Sequence, residues 1–502
     1  MKKIFLFISL LALSFSYAQD VTDALRYSNQ QILGTARYRS MAGAFGALGG
    51  DISALHINPA GSAVFTDSYG AFTLGSTSKQ NDIFYRNDLV SNNETHWNFN
   101  QVGAVFLYER KGENQKTAKI AAGISYHQTA DFRANYQAVG TSNTSITSYF
   151  LEEANGIPLN QLEVAQGQSF DQAYANAGQS QGFGFQQALL GYEALLFDAQ
   201  DPDNAENTAY ITNTGEGSYN QDYLLESSGT GGLFTFNISG EFFNSLYIGA
   251  NLNSHFIRYI KNTSFLENNQ NSSATIREID FRNNLRTDGT GLSAQFGAIY
   301  KFANLRVGLS VDTPTIMILQ EEITQSIDAF SSAEESIRVA PDVINTFPEY
   351  QLTTPGKITG SLAFLFGKSG LISVDYALQD FSSIRFDSDE GVDFSEMNAS
   401  IANTFKESST FKIGGEYRVG NLSYRAGYRY IESPYQNENL QGNITGIALG
   451  LGYSYGKWRF DMAYDSYYQD REEQFYPNSG FTNVTFIENY TSNITFTLGL
   501  HL

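Results

Sequence analysis

Apolar and polar residues alternate one by one along much of the chain after residue 68. Between Leu422 and Tyr430, leucine, tyrosine and alanine occupy the even positions, whereas serine, arginine and glycine occupy the odd ones. A period of two places these sets on opposite faces of a β-strand. Aromatic side chains on one face and arginines on the other suit a wall with lipid outside and water inside. The pattern predicts a transmembrane β-barrel.

About fourteen such segments follow one another, an even number, as bacterial outer-membrane barrels require. Their approximate cores are 68–76, 97–110, 117–130, 230–242, 245–262, 288–302, 305–313, 350–367, 370–386, 408–418, 421–433, 443–455, 458–471 and 487–502. Short turns alternate with long connections, which is typical of a barrel whose short turns face the periplasm. The sequence therefore predicts an all-β membrane protein, with an antiparallel barrel over 67–502 and long extracellular loops.

Two kinds of connection carry further expectations. Tight hairpin turns are predicted at 243–244, 303–304, 368–369, 419–420 and 456–457, because Gly, Asn and Ser supply the backbone angles that such turns need. The longest connection, 131–229, contains an apolar run at 185–197 that predicts a helix at the barrel mouth. This helix would either offer an apolar landing surface or pack on the rim.

The first 66 residues differ from the rest. Lys2 and Lys3, an apolar core over 4–15 and a small-x-small site at 16–18 predict a secretory signal peptide over 1–18. The chain is therefore expected to be exported. Residues 19–66 are rich in Gly and Ala and lack alternation, and short helical turns are expected around 21–27 and 36–48.

Composition narrows the class of function. The net charge of −21 argues against nucleic-acid binding, because there is no basic stripe to hold phosphates. The chain has no cysteine, so disulfides, thiolate nucleophiles and cysteine-based metal sites are excluded. None of its five histidines lies in an H-E-x-x-H motif, and there is no G-x-S-x-G motif. We expect no enzyme activity, no catalytic residues, no metal site and no cofactor.

The segment before the first strand carries the most specific motif. A run of small residues over 43–50 is followed by Asp51 and then by Asn58, Pro59, Ala60 and Gly61. This arrangement resembles the start of the outer-membrane long-chain fatty-acid transporter family of the FadL and TodX type. The phrases at 350–355 and 370–376 are also similar to members of that family. Asn58, Pro59, Ala60 and Gly61 match its hatch motif, so the resemblance implies that 19–66 form a hatch that plugs the barrel.

The resemblance also implies a function. Hydrophobic compounds, in particular long-chain fatty acids, would bind from outside, pass the hatch and leave through an opening in the wall by passive diffusion. A non-specific porin and a surface adhesion or receptor barrel remain as alternatives. The expected partners are hydrophobic small molecules, outer-membrane lipid and lipopolysaccharide, and the barrel-assembly machinery during biogenesis. The expected form is a monomer in the outer membrane of a Gram-negative cell.

Strand phase gives candidate binding residues. A fatty acid needs a cation for its carboxylate, and the lumen-facing cations by phase are Lys412, Arg418, Arg425, Arg429 and Arg459. The alternative for each is an ion pair that stabilises the wall, with Glu416, Asp461 or Asp465 as partner.

Overall fold

The computed structural model describes residues 21–111, 117–389, 391–476 and 479–502. Within these ranges, fourteen antiparallel barrel strands form one sheet, and the first strand pairs with the last from Tyr69 opposite His501 to Phe84 opposite Phe486. The barrel is closed, which confirms the predicted fold class. No helix in the described part of the chain is long and apolar enough to cross a membrane. The predicted signal peptide lies outside the described residues.

We number the barrel strands 1 to 14 in chain order, and several consist of more than one segment. They are Tyr69–Tyr85 (1), Asp88–Lys111 (2), Thr117–Asp131 with Ala134–Ser142 (3), Tyr219–Phe242 (4), Leu246–Asn269 (5), Ile276–Phe302 (6), Leu305–Asp312 with Ile316–Ser331 (7), Ser336–Val339, Asn345–Thr346, Tyr350–Thr353 and Lys357–Phe366 (8), Gly370–Asp380 with Arg385–Asp387 (9), Glu407–Val419 (10), Leu422–Ile431 (11), Ile444–Tyr455 (12), Trp458–Gln474 (13) and Val484–His501 (14).

The two faces of the wall follow the predicted alternation. In strand 14, Ile494, Phe496 and Leu498 are about two-fifths exposed on the outside, whereas Thr495 and Thr497 are buried on the inside. The same phase holds in strand 9, where Ile372 and Tyr376 point outward and Asp375 points inward. An outer surface of aromatic and aliphatic side chains is what a bilayer requires, because a charge there costs about 2–4 kcal/mol at mid-depth.

The strands are longer than the sequence predicts. Segments 77–96, 263–287 and 472–486 were expected to be loops, yet most of their residues extend strands 1, 2, 5, 6, 13 and 14. The expectation was wrong because it used an apolar outer face to recognise strands. Beyond the lipid the outer face is polar, so the alternation disappears while the backbone pairing continues. The predicted tight turns are confirmed, for example at Gly456, whose φ of +57° suits glycine.

Residues 143–218 form a cap over the extracellular end. Its helices are Thr147–Ala154, Leu159–Leu162, Phe170–Ser180 and Phe183–Glu193, and a small hairpin joins Phe197–Ala199 to Tyr210–Thr212. The predicted run 185–197 is helical as far as Glu193, and Phe197 already belongs to the hairpin. Leu189 and Leu190 of this helix are buried in a core shared with wall residues such as Phe265. The run therefore packs on the rim rather than offering an exposed apolar surface.

One carboxylate is buried beneath the cap. Glu267, near the extracellular end of strand 5 and outside the membrane-spanning part, accepts hydrogen bonds from the backbone N–H of Ile146 at 2.8 Å and from Gln221 Nε2 at 2.7 Å. Burial nevertheless raises the pKa of Glu267 to about 7. The joint between cap and wall therefore contains a group that titrates near neutral pH.

The hatch fills the lumen with short helices. They are the α-helices Val21–Ser28 and Ala36–Ser40 and the 3₁₀ helices Ser53–His56 and Pro59–Val64. Two further short helices, Phe381–Ser383 and Ser395–Thr404, lie between strands 9 and 10. The small residues of the hatch are almost completely buried, including Ala44 and Ala47.

Candidate functional site in the barrel lumen

The predicted hatch motif is a turn fixed by one asparagine. Asn58 precedes the 3₁₀ helix Pro59–Val64, and its side-chain oxygen accepts from the N–H of Ala60 at 3.1 Å. Pro59 begins this helix, where its missing N–H costs nothing. The side-chain nitrogen of Asn58 donates to the carbonyl of Gly46 at 2.8 Å and to that of Ala298 in strand 6 at 3.1 Å. Asn58 therefore ties two parts of the hatch to the wall.

Buried charges hold the other side of the hatch. Arg37 Nε lies 2.9 Å from Glu416 Oε2 in strand 10, and Arg39 Nε lies 2.8 Å from Asp465 Oδ1 in strand 13. Asp375 in strand 9 accepts from the backbone N–H groups of Phe45 at 2.9 Å and Gly46 at 3.0 Å. Three wall carboxylates thus receive hatch donors, which anchors the hatch to strands 9, 10 and 13.

Glycines in the wall let the hatch backbone approach closely. A Cβ on Gly308 would lie 2.4 Å from the carbonyl oxygen of Gly46, and one on Gly249 would lie 2.5 Å from the carbonyl of Pro59. Such distances are too short for any side chain. The hatch backbone therefore packs directly against these lumen glycines, a role that strand alternation alone does not reveal.

Four of the five predicted lumen cations lie in ion pairs. Arg418 pairs with Glu416, Arg425 with Glu416 and Asp461, Arg429 with Asp465, and Arg459 with Asp461. The network also includes Arg37 of the hatch. The arrangement matches the wall-stabilising alternative for these arginines, and it leaves Lys412 as the member of the set without an ion pair among the described residues.

The wall has an interruption between strands 2 and 3. Residues 101–111 of strand 2 pair with strand 3, but 88–99 pair only with strand 1. Strand 3 is irregular at Gln128–Ala130, and its second segment, Ala134–Ser142, pairs with strand 4 alone. The extracellular half of this boundary therefore has no backbone ladder, and we call it the seam.

Polar side chains close the seam around Asp131. Its carboxylate accepts from Asn98 Nδ2 at 3.2 Å and from Arg133 Nε at 3.0 Å, and it contacts His96 Nε2 at 2.5 Å. On the outside, Trp97 is 64% exposed, as expected for an aromatic residue at the membrane boundary. Side-chain contacts, and not a backbone ladder, therefore hold this part of the wall together.

Small cavities lie between the hatch and the wall, beginning beside strand 3. One of about 30 Å³ touches Ala130 and Gly232 beside the irregular part of strand 3. It shares Gln30 and His255 with a second cavity of about 110 Å³, which lies between the hatch and the wall. A third, of about 100 Å³, continues along strands 8–12. Together these cavities form a mainly polar series from strand 3 to Lys412.

Sequence reasoning missed Asp131 and the hatch-binding role of Asp375. The phase of strand 9 placed Asp375 inside, but nothing in the sequence indicates that backbone N–H groups would face it. Asp131 lies where alternation stops, at the edge of the 131–229 connection. An acidic residue at such a break, followed two residues later by Arg133, is the signal that could have indicated a structured wall element.

Comparison with known proteins places this geometry in context. The family model named BamG matches residues 181–464, more than half of the 502-residue chain. The chain belongs to the BamG family. The part that matches the BamG family model begins in the cap and ends in strand 13, so it leaves out the hatch. No curated protein sequence matches.

Solved structures share the fold at low identity. A FadL homologue from Pseudomonas aeruginosa aligns with a TM-score of 0.56 and 11% identity over 94% of this chain and 99% of that chain. The Pseudomonas putida toluene transporter TodX aligns with a TM-score of 0.51 and 12% identity over 95% and 99%. This BamG-family chain therefore has the FadL-type barrel fold that the hatch motif predicted, which is an outer-membrane fold.

Proposed function

We propose that the protein carries hydrophobic small molecules across the outer membrane by passive diffusion, with long-chain fatty acids as the substrate class. The observation that carries the proposal is the seam: it lies at and beyond the outer membrane boundary, where a molecule arriving from outside can pass the wall beside the sealed mouth, because no backbone ladder closes it there. The FadL-type fold supports it. The hatch and cap are closed in this structure, so passage requires the hatch or the segment beside it to move.

Proteoliposomes test the proposal directly. Purified protein should speed the uptake of labelled oleate over empty liposomes, and it should give little swelling in sugars, which a non-specific porin would admit. Labelled toluene serves as a comparison substrate, because TodX is a toluene transporter. Uptake no faster than in empty liposomes would contradict the proposal, and rapid swelling in sugars would favour a porin.

The seam can be tested within the same assay. Asn92 of strand 2 donates to the carbonyl of Asn135 in strand 3 at 2.6 Å, so the pair Asn92→Cys and Asn135→Cys lies across the seam. The chain has no other cysteine, and a short bifunctional thiol reagent would tether the two strands. Tethering should suppress oleate uptake. The control pair, Gln469→Cys and Asn489→Cys, lies on directly opposed residues of strands 13 and 14, and tethering it should change nothing.

The proposal includes no catalytic step. Hydrolysis of a chromogenic ester by the purified protein, retained after a second purification, would contradict this part of it.

A second candidate is a barrel that binds another protein through its cap. The observation that favours it is the sealed mouth, where cap helices and wall strands share one continuous apolar core. The cap carries exposed acidic residues, among them Asp201 and Asp203. If the cap binds a partner, Asp201→Asn and Asp203→Asn should abolish co-purification of that partner from native membranes and leave oleate uptake unchanged.

A further inference from the structure

A polar chamber lies between hatch residues 28–32 and the inner wall. It consists of the two cavities of about 100 and 110 Å³, which both touch Lys357, Lys412 and Gln379. Further polar side chains of the wall line one lobe or the other, including Thr359 and Thr410. The chamber is therefore a site where a small polar ligand could find several partners.

Lys412 is the unusual member of this lining. It lies in strand 10, only 8% of its surface is exposed, and it contributes to both lobes. Among the residues that the structure describes, no carboxylate oxygen lies within 4.0 Å of its Nζ and no hydrogen-bond partner is found. A buried ammonium group without an anion is costly, so an occupant that supplies the anion would be bound favourably.

The surrounding charges leave one positive charge without a close counterpart. Lys357 Nζ lies 2.8 Å from Asp312 Oδ2. Arg429, opposite Lys412 in strand 11, faces Asp465 at 3.6 Å.

Asp375 is opposite Lys412 in strand 9 and attracts it, and it also accepts hydrogen bonds from the hatch backbone at Phe45 and Gly46. Asp465 is shared between Arg429 and Arg39 of the hatch, so four cations (Lys357, Lys412, Arg429 and Arg39) face three carboxylates (Asp312, Asp375 and Asp465). The chamber therefore matches a ligand with a single negative charge.

We propose that the chamber binds a small monocarboxylate, whose carboxylate pairs with Lys412. The two lobes hold a molecule of a few carbon atoms and are too small for a long acyl chain. The inference goes beyond the proposed function, because the chamber would bind an anion much smaller than the proposed long-chain substrate. Binding itself requires no transport and can be measured separately.

Calorimetric titration of the full-length protein in detergent with butyrate tests the inference, at constant ionic strength set with chloride. We expect saturable binding, no binding of the neutral isostere butyramide, and at least tenfold weaker butyrate binding in Lys412→Gln. The matched control is Lys406→Gln, which removes the same charge one residue before strand 10, where Lys406 pairs with Glu438 at 2.9 Å. It should bind butyrate as the parent does.

Three results would overturn the inference: no saturable binding, equal binding of butyramide, or unchanged affinity in Lys412→Gln. Thermal unfolding of each variant shows whether it is folded. If Lys412→Gln does not fold, the comparison of butyrate with butyramide in the parent decides alone. If butyrate binds but oleate uptake is absent, the proposed transport function is wrong and the inference about the chamber holds. If oleate is taken up but butyrate does not bind, only the inference about the chamber is wrong.

Discussion

The ion pair between Arg39 and Asp465 offers a way to measure how strongly the wall holds the hatch in its closed position. Both side chains are almost completely buried, at 2% and 0% exposure, and Nε and Oδ1 are 2.8 Å apart. Arg39→Met would leave the Asp465 carboxylate buried, with Asn493 at 3.1 Å and Arg429 at 3.6 Å as remaining partners. Breaking a buried pair on one side costs about 3–5 kcal/mol. Because these two partners stay, the lower end of that range is the expected cost.

A loss of about 3 kcal/mol raises the population of hatch-open molecules about a hundredfold, since 1.4 kcal/mol is a factor of ten. The natural absence of cysteine makes this measurable. A single Ala44→Cys, at a hatch position with 0% exposure, should react with a maleimide only when the hatch opens. We expect Arg39→Met to raise the labelling rate about a hundredfold.

Arg418→Met is the matched control for this experiment. Arg418 lies on the lumen side of strand 10 and pairs with Glu416, and its side chain is 42% exposed. Among the described residues it forms no hydrogen bond or ion pair with the hatch. Its labelling rate should stay near that of the parent. Equal rates in the parent and Arg39→Met would refute the view that this ion pair holds the hatch.

Three further outcomes are expected. Gly308→Ala places a Cβ 2.4 Å from the Gly46 carbonyl oxygen and should raise the same labelling rate, whereas Gly360→Ala, where a Cβ meets nothing within 4 Å, should not. The pKa of Glu267 is raised from 4.5 to about 7 in the folded cap, so between these pH values the folded cap binds more protons than the unfolded one. The protease resistance of the cap should therefore fall as the pH rises from 5 to 8, and Glu267→Gln should remove this dependence on pH. Asp131→Asn should speed hydrogen exchange of residues 88–99 about tenfold and leave 101–109 unchanged, and uniform exchange would contradict the role given to the seam.

The barrel was predictable because its outer wall faces a single solvent. Phe496, Leu498 and their neighbours must be apolar, so a period of two is visible wherever strands cross lipid. The extracellular extensions were not predictable by the same rule, since both of their faces meet water or protein. Composition gave no help either, because the strand and loop residues in these extracellular extensions have similar composition.

The lumen was predictable only in part. Phase placed Arg425, Arg429 and Arg459 inside, and the sequence also supplied Glu416, Asp461 and Asp465 as partners. The sequence does not show which lumen cation lacks an ion pair, because this depends on the positions of the hatch donors. The hatch donors lie several hundred residues before the wall residues that they contact. The pairing of Glu416 with Arg37 is an example, because no local pattern in either segment contains it.

The separation in sequence of the hatch contacts limits the order of folding. Arg37 and Glu416 are 379 residues apart, and Arg39 and Asp465 are 426 apart. The N-terminal segment therefore reaches its final position only after the chain has been exported almost to its end, when strands 10 to 13 exist to receive it. Closing such distant contacts is slow, since the entropy of a very long loop is lost first. The hatch, which precedes the wall in the chain, is thus among the last parts to be fixed, and until then two arginines remain in water.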